Sequence, residues 1–209
     1  MALVGKKFPN ITVDAISFMG DNLRINVLEE AVNNKKKVIL FWYPKDFTFV
    51  CPTEICNYSD SAEKFRSLNA EVIGCSIDSA HSHREYALKP RKIGGLAPLD
   101  IPLLSDVAHD ISKDYGVYCD FGENKGLALR GTFIIDSNGI LRHVSINDLN
   151  VGRNIDETIR LLQAFQHSEK YGDVCPSKWK PGAKTMKPDD PEKLNAYWEE
   201  EHSKVEKQN

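Results

Sequence analysis

The chain has 209 residues, of which 41% are hydrophobic and 27% are charged, and its formal net charge is -3. This composition is typical of a globular domain with an extension, and the small charge gives no indication of nucleic-acid or anionic-membrane binding. No segment has the roughly 20 consecutive apolar residues that span a bilayer, and no apolar signal core follows the first lysines. We therefore expect a cytoplasmic protein without nucleic-acid or membrane partners.

The chain contains Cys51, Cys56, Cys75, Cys119 and Cys175. An odd number of distant cysteines without a secretion signal argues against a structural disulfide framework. No pair has the Cys-x2-Cys spacing of a zinc site, and His81 and His83 are too close together for the usual histidine pair. We expect neither a metal nor an organic cofactor, and any disulfide should be catalytic or redox-sensing.

The first predicted elements alternate between strand and helix. Residues 38–43 form a short apolar run typical of a buried strand, and residues 51–68 follow with helical periodicity. A second buried strand is predicted over residues 71–77. Residues 82–88 favour a helix that ends before Pro90.

The second half of the chain adds a hairpin and a long helix. A third short strand is predicted over residues 101–104, and a helix over residues 108–115. Residues 132–135 and 140–146 flank a Ser-Asn-Gly sequence, and Asn-Gly between apolar runs is the strongest short-range signal for a β-hairpin. Asn154 is then expected to cap an amphipathic helix.

Strands that alternate with helices and end in a hairpin predict an α/β fold with a mixed central sheet flanked by helices. We expect residues 1–170 to form one domain and residues 171–209 to form a C-terminal arm, which is rich in Pro, Lys and Glu. A last amphipathic helix is predicted over about residues 190–205, with Asp190 as its cap and Pro191 at its first position.

The segment from Phe41 to Glu54, Phe-Trp-Tyr-Pro-Lys-Asp-Phe-Thr-Phe-Val-Cys-Pro-Thr-Glu, carries the main chemical signal. Cys51 lies between a loop and a predicted helix start, where unpaired backbone N–H groups and the helix dipole stabilise a thiolate. Thr48 could reach the sulfur or a bound oxygen, and the ring of Pro44 could wall the pocket. Most free cysteines are small buried side chains, but the spacing Pro-x3-Thr-x2-Cys favours a catalytic thiolate.

This segment resembles the peroxiredoxin active-site motif in its longer form, Asp-Phe-Thr-Phe-Val-Cys-Pro-Thr-Glu. Four further segments are similar to that family in the same order along the chain, namely residues 72–78, 104–106, 130–136 and 171–176. The last, Tyr-Gly-Asp-Val-Cys-Pro, resembles the resolving-cysteine segment of the typical two-cysteine subgroup, which includes the bacterial alkyl hydroperoxide reductases. The resemblance implies a thioredoxin-like fold.

The same resemblance implies roles for the site residues. Cys51 is the expected peroxidatic cysteine, with Pro44, Thr48 and Arg130 in its pocket and Glu54 in a supporting polar network. Arg130 is expected to lower the pKa of the Cys51 thiol and to stabilise charge on the peroxide oxygens; the alternative for Arg130 is a surface salt bridge. Attack on peroxide produces a sulfenic acid, which condenses with a thiol to give a disulfide.

Cys175 is the expected resolving cysteine, donated by the other subunit of a homodimer; its alternative is an inert surface thiol. Thioredoxin or another dithiol reductant is the expected recycling partner, and the resemblance also implies a ring of five dimers. The helix start with Cys51 and the arm with Cys175 should loosen before the disulfide forms. The predicted activity is a thiol-specific peroxidase that reduces hydrogen peroxide and organic hydroperoxides.

The other cysteines give weaker signals. Cys56 follows Cys51 by five residues on the same predicted helix, about 500° of rotation away, so its side chain should point elsewhere. Cys75 lies inside a predicted strand and is expected to pack in the core. For Cys119, a structural role and an additional oxidisable thiol both stay open.

Many eukaryotic-type members of the family have a Gly-Gly-Leu-Gly loop and a Tyr-Phe pair in the C-terminal helix, which hold the active site folded and slow disulfide formation. This chain has Gly-Gly-Leu-Ala at residues 94–97 and Tyr197-Trp198, each altered at one position. We expect the C-terminal helix to cover the site, anchored by Leu194, Tyr197 and Trp198, with intermediate sensitivity to over-oxidation. The alternative is a frayed polar tail.

Other functions are compatible with this family. A ring-forming holdase chaperone or a peroxide-sensing redox relay could be a second role of the same protein. A dithiol–disulfide oxidoreductase is disfavoured, because the chain has no Cys-x-x-Cys pair.

Overall fold

The computed structural model describes residues 3–206, with side chains described as far as Glu201. Its strands and helices follow in the order β1 (Thr12–Ile16), β2 (Asn22–Asn26), α1 (Val27–Asn33), β3 (Lys37–Trp42), α2 (Cys51–Asp60), α3 (Ala62–Ser67), β4 (Ala70–Ser76), α4 (Ala80–Leu88), β5 (Leu103–Ser105), α5 (Asp110–Asp114), β6 (Arg130–Ile135), β7 (Leu141–Asn147), α6 (Ile155–Tyr171) and α7 (Pro191–Glu206). The chain forms two compact units, one ending at Ile155 and the other beginning at Asp156. The predicted domain boundary between residues 170 and 171 stays a prediction.

The first unit is built on a seven-stranded sheet with the strand order β2-β1-β5-β4-β3-β6-β7. Strands β3, β4 and β5 run parallel, and the pairs on either side of them are antiparallel. Helices connect the parallel strands, because a parallel pair needs a crossover between its strands. The predicted mixed sheet is confirmed.

Strand β3 lies between β4 and β6, and all six of its residues are buried. A strand covered on both faces gives a continuous apolar run in the sequence, as seen at residues 38–43. Its side chains alternate between the faces. The Phe41 ring stacks on Tyr58 of α2 at 4.1 Å between centroids, and the next residue, Trp42, meets Phe133 edge-on at 5.1 Å. The end of β3 leads into the loop before α2.

The sequence pattern predicts no element before residue 38, and the structure differs there. Strands β1 and β2 form an antiparallel hairpin at one end of the sheet, and α1 follows, with Asn26 as its cap accepting the Glu29 amide at 3.2 Å. In each strand only the last two residues are buried. Such short, polar strands have too little apolar alternation to be distinguished from a loop.

Some predicted elements have different bounds. The helix predicted over residues 51–68 is two helices, because the backbone at Ser61 departs from helical geometry, with φ -94° and ψ 0°. No Gly or Pro marks this break in the sequence. The strand predicted over residues 101–104 is displaced to β5, and the helix predicted over residues 108–115 is the five-residue α5.

The hairpin predicted from the Ser-Asn-Gly sequence is confirmed as the antiparallel pair β6–β7. Asp136 closes its turn. One carboxylate oxygen accepts the amides of Asn138 and Ile140, both at 2.9 Å, and the other accepts Arg142 Nε at 2.7 Å. Burial opposes the charged form, but the amides and the guanidinium outweigh it and hold the pKa of Asp136 below its usual value. The carboxylate therefore stabilises the folded hairpin.

We expect Asp136→Asn to lower the free energy of unfolding at pH 7 by about 1–3 kcal/mol. Because the folded pKa of Asp136 is depressed, its contribution is complete above about pH 4, near the unfolded pKa, and is lost as the pH falls through the folded value. The deficit should therefore shrink in acid. Urea unfolding across this range measures it, with Asp120→Asn at an exposed position as the control; a deficit independent of pH would contradict the assignment.

The second unit contains α7 and all of α6 after its first residue. Ile159 and Leu162 of α6 are buried, which agrees with the amphipathic helix predicted after Asn154. Asp190 Oδ1 accepts the Lys193 amide at 3.1 Å, and Pro191 is the first residue of α7, so the predicted cap is confirmed. Neither these helices nor any other within residues 3–206 has the length and hydropathy to cross a membrane.

Candidate active site

Cys51 is the first residue of α2 and is only 1% exposed. It follows the loop of residues 43–50, which leaves the end of β3. The N-cap residue, Val50, makes no side-chain capping bond, and Pro52 lies in the first turn. The positive end of the helix is therefore directed at the residue predicted to be the nucleophile.

Arg130, the first residue of β6, contacts the sulfur directly. Its Nη1 lies 3.5 Å from Cys51 Sγ and donates to Glu54 Oε2 at 2.7 Å. Its Nε donates to the Leu149 carbonyl at 2.7 Å, and only 3% of the residue is exposed. The two oxygen acceptors hold the guanidinium plane, so that a buried positive charge faces the sulfur.

Glu54 lies one helical turn after Cys51 and is 2% exposed. Arg153 binds it through two parallel bonds, Nε to Oε1 at 2.8 Å and Nη2 to Oε2 at 2.9 Å, and the Arg153 amide donates to Oε1 at 2.8 Å. Bidentate, charge-assisted bonds of this kind are among the strongest hydrogen bonds in proteins. With Arg130 on the same carboxylate, Glu54 is shared by two buried guanidinium groups.

Cys51, Glu54, Arg130 and Arg153 together form what we call the Cys51 cluster. Its two guanidinium groups and one carboxylate leave one net positive charge. An uncompensated buried charge is costly, and the Cys51 sulfur lies 3.5 Å from the Arg130 guanidinium that carries it. The positive charge of the cluster is that of its arginines. Among the side chains of residues 3–201, no group of three or more His, Cys, Asp and Glu residues is arranged to hold a metal ion.

Arg153 has no local sequence signal. It is 99 residues away from Glu54 along the chain and lies between β7 and α6, outside any motif. Its guanidinium also lies over the rings of Phe41 and Tyr58, at 5.3 and 5.9 Å from their centroids. These rings belong to β3 and α2, so the packing of separate elements positions the arginine, and a single sequence does not display that packing.

Pro44 and Thr48 both lie in the loop before α2. Pro44 is buried, and Thr48 is partly exposed. The Thr48 hydroxyl donates to the Lys45 carbonyl at 2.9 Å, so its oxygen keeps lone pairs that can accept a hydrogen bond from a substrate. Both residues are on the segment that leads to the cysteine, and their pocket roles stay predictions.

A buried carboxylate anchors the same loop. Asp46, which is 3% exposed, accepts the hydroxyls of Tyr43 at 2.9 Å and Ser82 at 2.8 Å, and His83 Nδ1 lies 2.9 Å from it. Its own amide donates to Asp78 Oδ2 at 2.9 Å. These bonds connect the loop to α4 and to the residues after β4. Asp46 is the first residue of the active-site motif, but no role was predicted for it from the sequence.

The Gly-Gly-Leu-Ala sequence at residues 94–97 forms the predicted loop. Gly94 adopts a left-handed φ of 77°, and a Cβ at Gly95 would collide with the Lys89 carbonyl, so neither position suits a larger residue. Leu96 is completely buried. The loop is therefore well anchored, whereas the covering of the site by the C-terminal helix stays a prediction.

Three of the other cysteines lie in surroundings that suit packing. Cys75 is completely buried in β4, and burial raises its pKa well above the usual value, as expected for a core residue. Burial also raises the pKa of Cys56, although the charge of Arg91 opposes it. Cys119 is buried, and its thiol donates to the Phe121 carbonyl at 3.3 Å.

Cys175 lies in the second unit, where it is partly buried and donates its thiol to the Ala164 carbonyl at 3.6 Å. Burial raises its pKa, the charge of Asp173 adds to this effect, and the charge of Arg160 opposes it. The resolving role of Cys175 and the alternative of an inert surface thiol both stay predictions.

Protein-family models match most of the chain. Residues 4–144 match the AhpC/TSA family, and residues 164–200 match the C-terminal domain of 1-Cys peroxiredoxin. The second segment contains Cys175, so this chain has a second cysteine in the region that this model describes.

Similar proteins carry the same family name. Human Peroxiredoxin-4 is 56% identical over 162 residues, which are 78% of this chain and 59% of that protein. Peroxiredoxin-1 of Gallus gallus is 50% identical over 188 residues, which are 90% of this chain and 92% of that protein. The match spans about three-fifths of the length of the mammalian Peroxiredoxin-4 proteins.

A solved structure agrees with the fold. The reduced 2-Cys peroxiredoxin of Plasmodium vivax has a TM-score of 0.88 and 39% identity with this chain, covering 95% of this chain and 100% of that one. This likeness confirms the thioredoxin-like fold that the sequence resemblance implied. The chain therefore belongs to the AhpC/TSA family and, within it, to the two-cysteine peroxiredoxins.

Proposed function

We propose that this chain is a thiol peroxidase that reduces hydrogen peroxide and organic hydroperoxides with Cys51 as its attacking thiolate. The observation that carries the proposal is the Arg130 guanidinium 3.5 Å from the buried Cys51 sulfur, in a cluster with one net positive charge. Such preorganised charge stabilises the attacking sulfur and the developing charge on the leaving oxygen. Membership of the family supports the same activity.

In the proposed first step, the Cys51 thiolate attacks one peroxide oxygen. An S–O bond forms, the O–O bond breaks, and the leaving oxygen takes the electron pair and a proton to become water or an alcohol. The sulfur is oxidised to a sulfenic acid. Arg130 stabilises the charge on both oxygens, Thr48 accepts a hydrogen bond from the peroxide, and the buried ring of Pro44 forms an apolar wall that helps to hold it in line.

In the proposed second step, Cys175 from a second copy of the chain resolves the sulfenic acid as an intersubunit disulfide. Thioredoxin or a similar dithiol protein then reduces that disulfide. A structural neighbour from Plasmodium yoelii, which is 37% identical, is named thioredoxin peroxidase I, and this name supports the choice of reductant. Cys175 thereby returns Cys51 to its reduced state.

A homodimer, assembled further into a ring of five dimers, is the proposed form of the protein in the cytoplasm. Strands β2 and β7 are the two ends of the sheet. The outer strand of an open sheet has backbone groups that can pair with another chain, so the sheet offers a surface for a second copy.

Peroxide should convert the wild-type protein into a disulfide-linked dimer on a non-reducing gel. Cys175→Ser should form no such dimer, yet it should consume a stoichiometric amount of peroxide in its first turnover. NADPH oxidation coupled through thioredoxin and its reductase should be lost in this variant, whereas Cys119→Ser should keep both activity and dimer. A disulfide within one chain, or an undiminished dimer without Cys175, would contradict the proposed resolution step.

A further inference from the structure

A short backbone ladder holds the Cys175 segment within the second unit. The Val174 amide donates to the Met186 carbonyl at 2.9 Å, and the Met186 amide donates to the Val174 carbonyl at 3.0 Å. The next residue, Cys175, donates its thiol to the Ala164 carbonyl of α6 at 3.6 Å. Cys175 therefore leaves this position only when bonds of its own segment break.

Asp173 reinforces this ladder from two residues before Cys175, and its side chain is 11% exposed. One carboxylate oxygen accepts the Thr185 hydroxyl at 2.7 Å and lies 3.7 Å from His167 Nε2. The other oxygen lies 3.6 Å from Lys187 Nζ. The Asp173 carboxylate thus connects the Cys175 segment with α6 and with the residues on either side of Met186, which pairs with Val174 in the ladder.

These contacts keep Asp173 ionised. The Thr185 hydrogen bond, opposed by burial and supported by the Lys187 charge and the His167 ring, holds the pKa of Asp173 below its usual value. The charge of Lys193, at the start of α7, also interacts with this carboxylate. Its partners thus come from both helices of the unit and from the segment between them.

The same carboxylate acts on the thiol. Burial raises the pKa of Cys175, the Asp173 charge raises it further, and the Arg160 charge of α6 opposes both. Only the thiolate attacks an oxidised sulfur. Asp173 therefore opposes disulfide formation in two ways, by retaining the segment and by disfavouring the reactive form of Cys175.

We propose that Asp173 is a positioning residue that holds the Cys175 segment closed and so sets the time that oxidised Cys51 waits for its disulfide. The proposal rests on the peroxidase function proposed above. In the step concerned, the Cys175 thiolate attacks the sulfenic sulfur of Cys51, the S–O bond breaks, and hydroxide leaves and is protonated to water. The Cys175 sulfur is oxidised while the sulfenic sulfur is reduced, so no further oxidant is needed.

The waiting time matters because the sulfenic acid has a second fate. Another peroxide molecule oxidises it to a sulfinic acid, which no longer forms a disulfide. Opening of the Cys175 segment competes with this reaction. A weaker hold on the segment should therefore give faster disulfide formation and less sulfinic acid at the same peroxide dose.

The test compares Asp173→Asn and Thr185→Val with Asp189→Asn, a control at an exposed position of the same segment. After rapid mixing with peroxide and quenching, non-reducing gels should show disulfide formation about 5- to 10-fold faster in the first two variants. This is the rate change expected when one hydrogen bond that holds the segment is lost. The control should match the wild type. Mass spectrometry at rising peroxide should show correspondingly less sulfinic acid on Cys51 in the first two variants.

A pH profile separates positioning by Asp173 from a general loosening of the unit. Asp173→Asn removes the negative charge, so its disulfide formation should reach a plateau at lower pH, whereas Thr185→Val keeps the charge and should keep the wild-type profile. Unchanged or slower disulfide formation in both variants, with folding verified by circular dichroism, overturns the proposal. A wild-type Cys51 that does not consume peroxide overturns the proposed function instead, because that step does not involve Asp173.

Discussion

Cys51→Ser is expected to lower the rate of peroxide reduction by at least about 10³-fold, the scale of losing an enzyme's nucleophile. A serine hydroxyl stays protonated near neutral pH, and its oxygen is a far weaker nucleophile than a thiolate. The substitution also removes the sulfur that lies 3.5 Å from the Arg130 guanidinium. Peroxide consumption with an excess of a small thiol reductant measures the loss independently of any protein partner.

Cys56→Ser is the matched control for this experiment. It makes the same substitution on the same helix, but burial raises the pKa of Cys56 and the arginine charge acting on it is that of Arg91. Its activity should stay close to that of the wild type. A folded Cys51→Ser protein that still consumes peroxide at the wild-type rate would show that another sulfur carries the reaction.

Arg130→Lys is expected to lower kcat/KM for peroxide on the order of 10²-fold, as for the loss of one preorganised donor. Lysine keeps the positive charge, so charge alone does not predict this loss. The planar guanidinium donates at the same time toward the Cys51 sulfur and to Glu54 and Leu149, and a single ammonium group cannot reproduce that fork. The peroxide oxygens would therefore lose an oriented donor.

Stability must be measured beside activity, because breaking a buried ion pair costs about 3–5 kcal/mol. Thermal unfolding of Arg130→Lys shows whether the variant is folded at the assay temperature. Arg24→Lys is the matched control, since Arg24 is largely exposed and pairs with Asp14 in the β1–β2 hairpin. A folded Arg130→Lys enzyme with wild-type kcat/KM would refute the role given to the Arg130 guanidinium as an oriented hydrogen-bond donor.

Glu54 explains why two arginines can be buried beside one cysteine. Its carboxylate takes bonds from both guanidinium groups, so each is desolvated with a partner. The pairing leaves one positive charge unmatched, and the sulfur of Cys51 is the group in contact with it. The supporting network predicted for Glu54 thus has a physical basis in the charge of the cluster, although its catalytic role stays a prediction.

Elements with strong local patterns could be predicted from the sequence. Strand β3 is buried on both faces and is apolar throughout, the β6–β7 hairpin has Asn-Gly at its turn, and α7 begins with Asp190 and Pro191. The β1–β2 hairpin could not be predicted, because its short strands are half polar and are recognisable only by their pairing with each other and with β5.

The sequence by itself predicted Cys51 as the attacking group, because the spacing of Pro44, Thr48 and Cys51 before a helix start is local. The family resemblance implied that Arg130 and Glu54 lie near that group, whereas only the tertiary structure showed the bond between them and the contribution of Arg153. Arg130 and Arg153 reach Glu54 across 76 and 99 residues of chain. The packing of strands and helices determines which distant residues meet a buried charge. The number of residues between two groups in the sequence does not reveal that packing. The role proposed for Asp173 depends in the same way on its bond with the Thr185 hydroxyl, because only the folded second unit brings these two groups together.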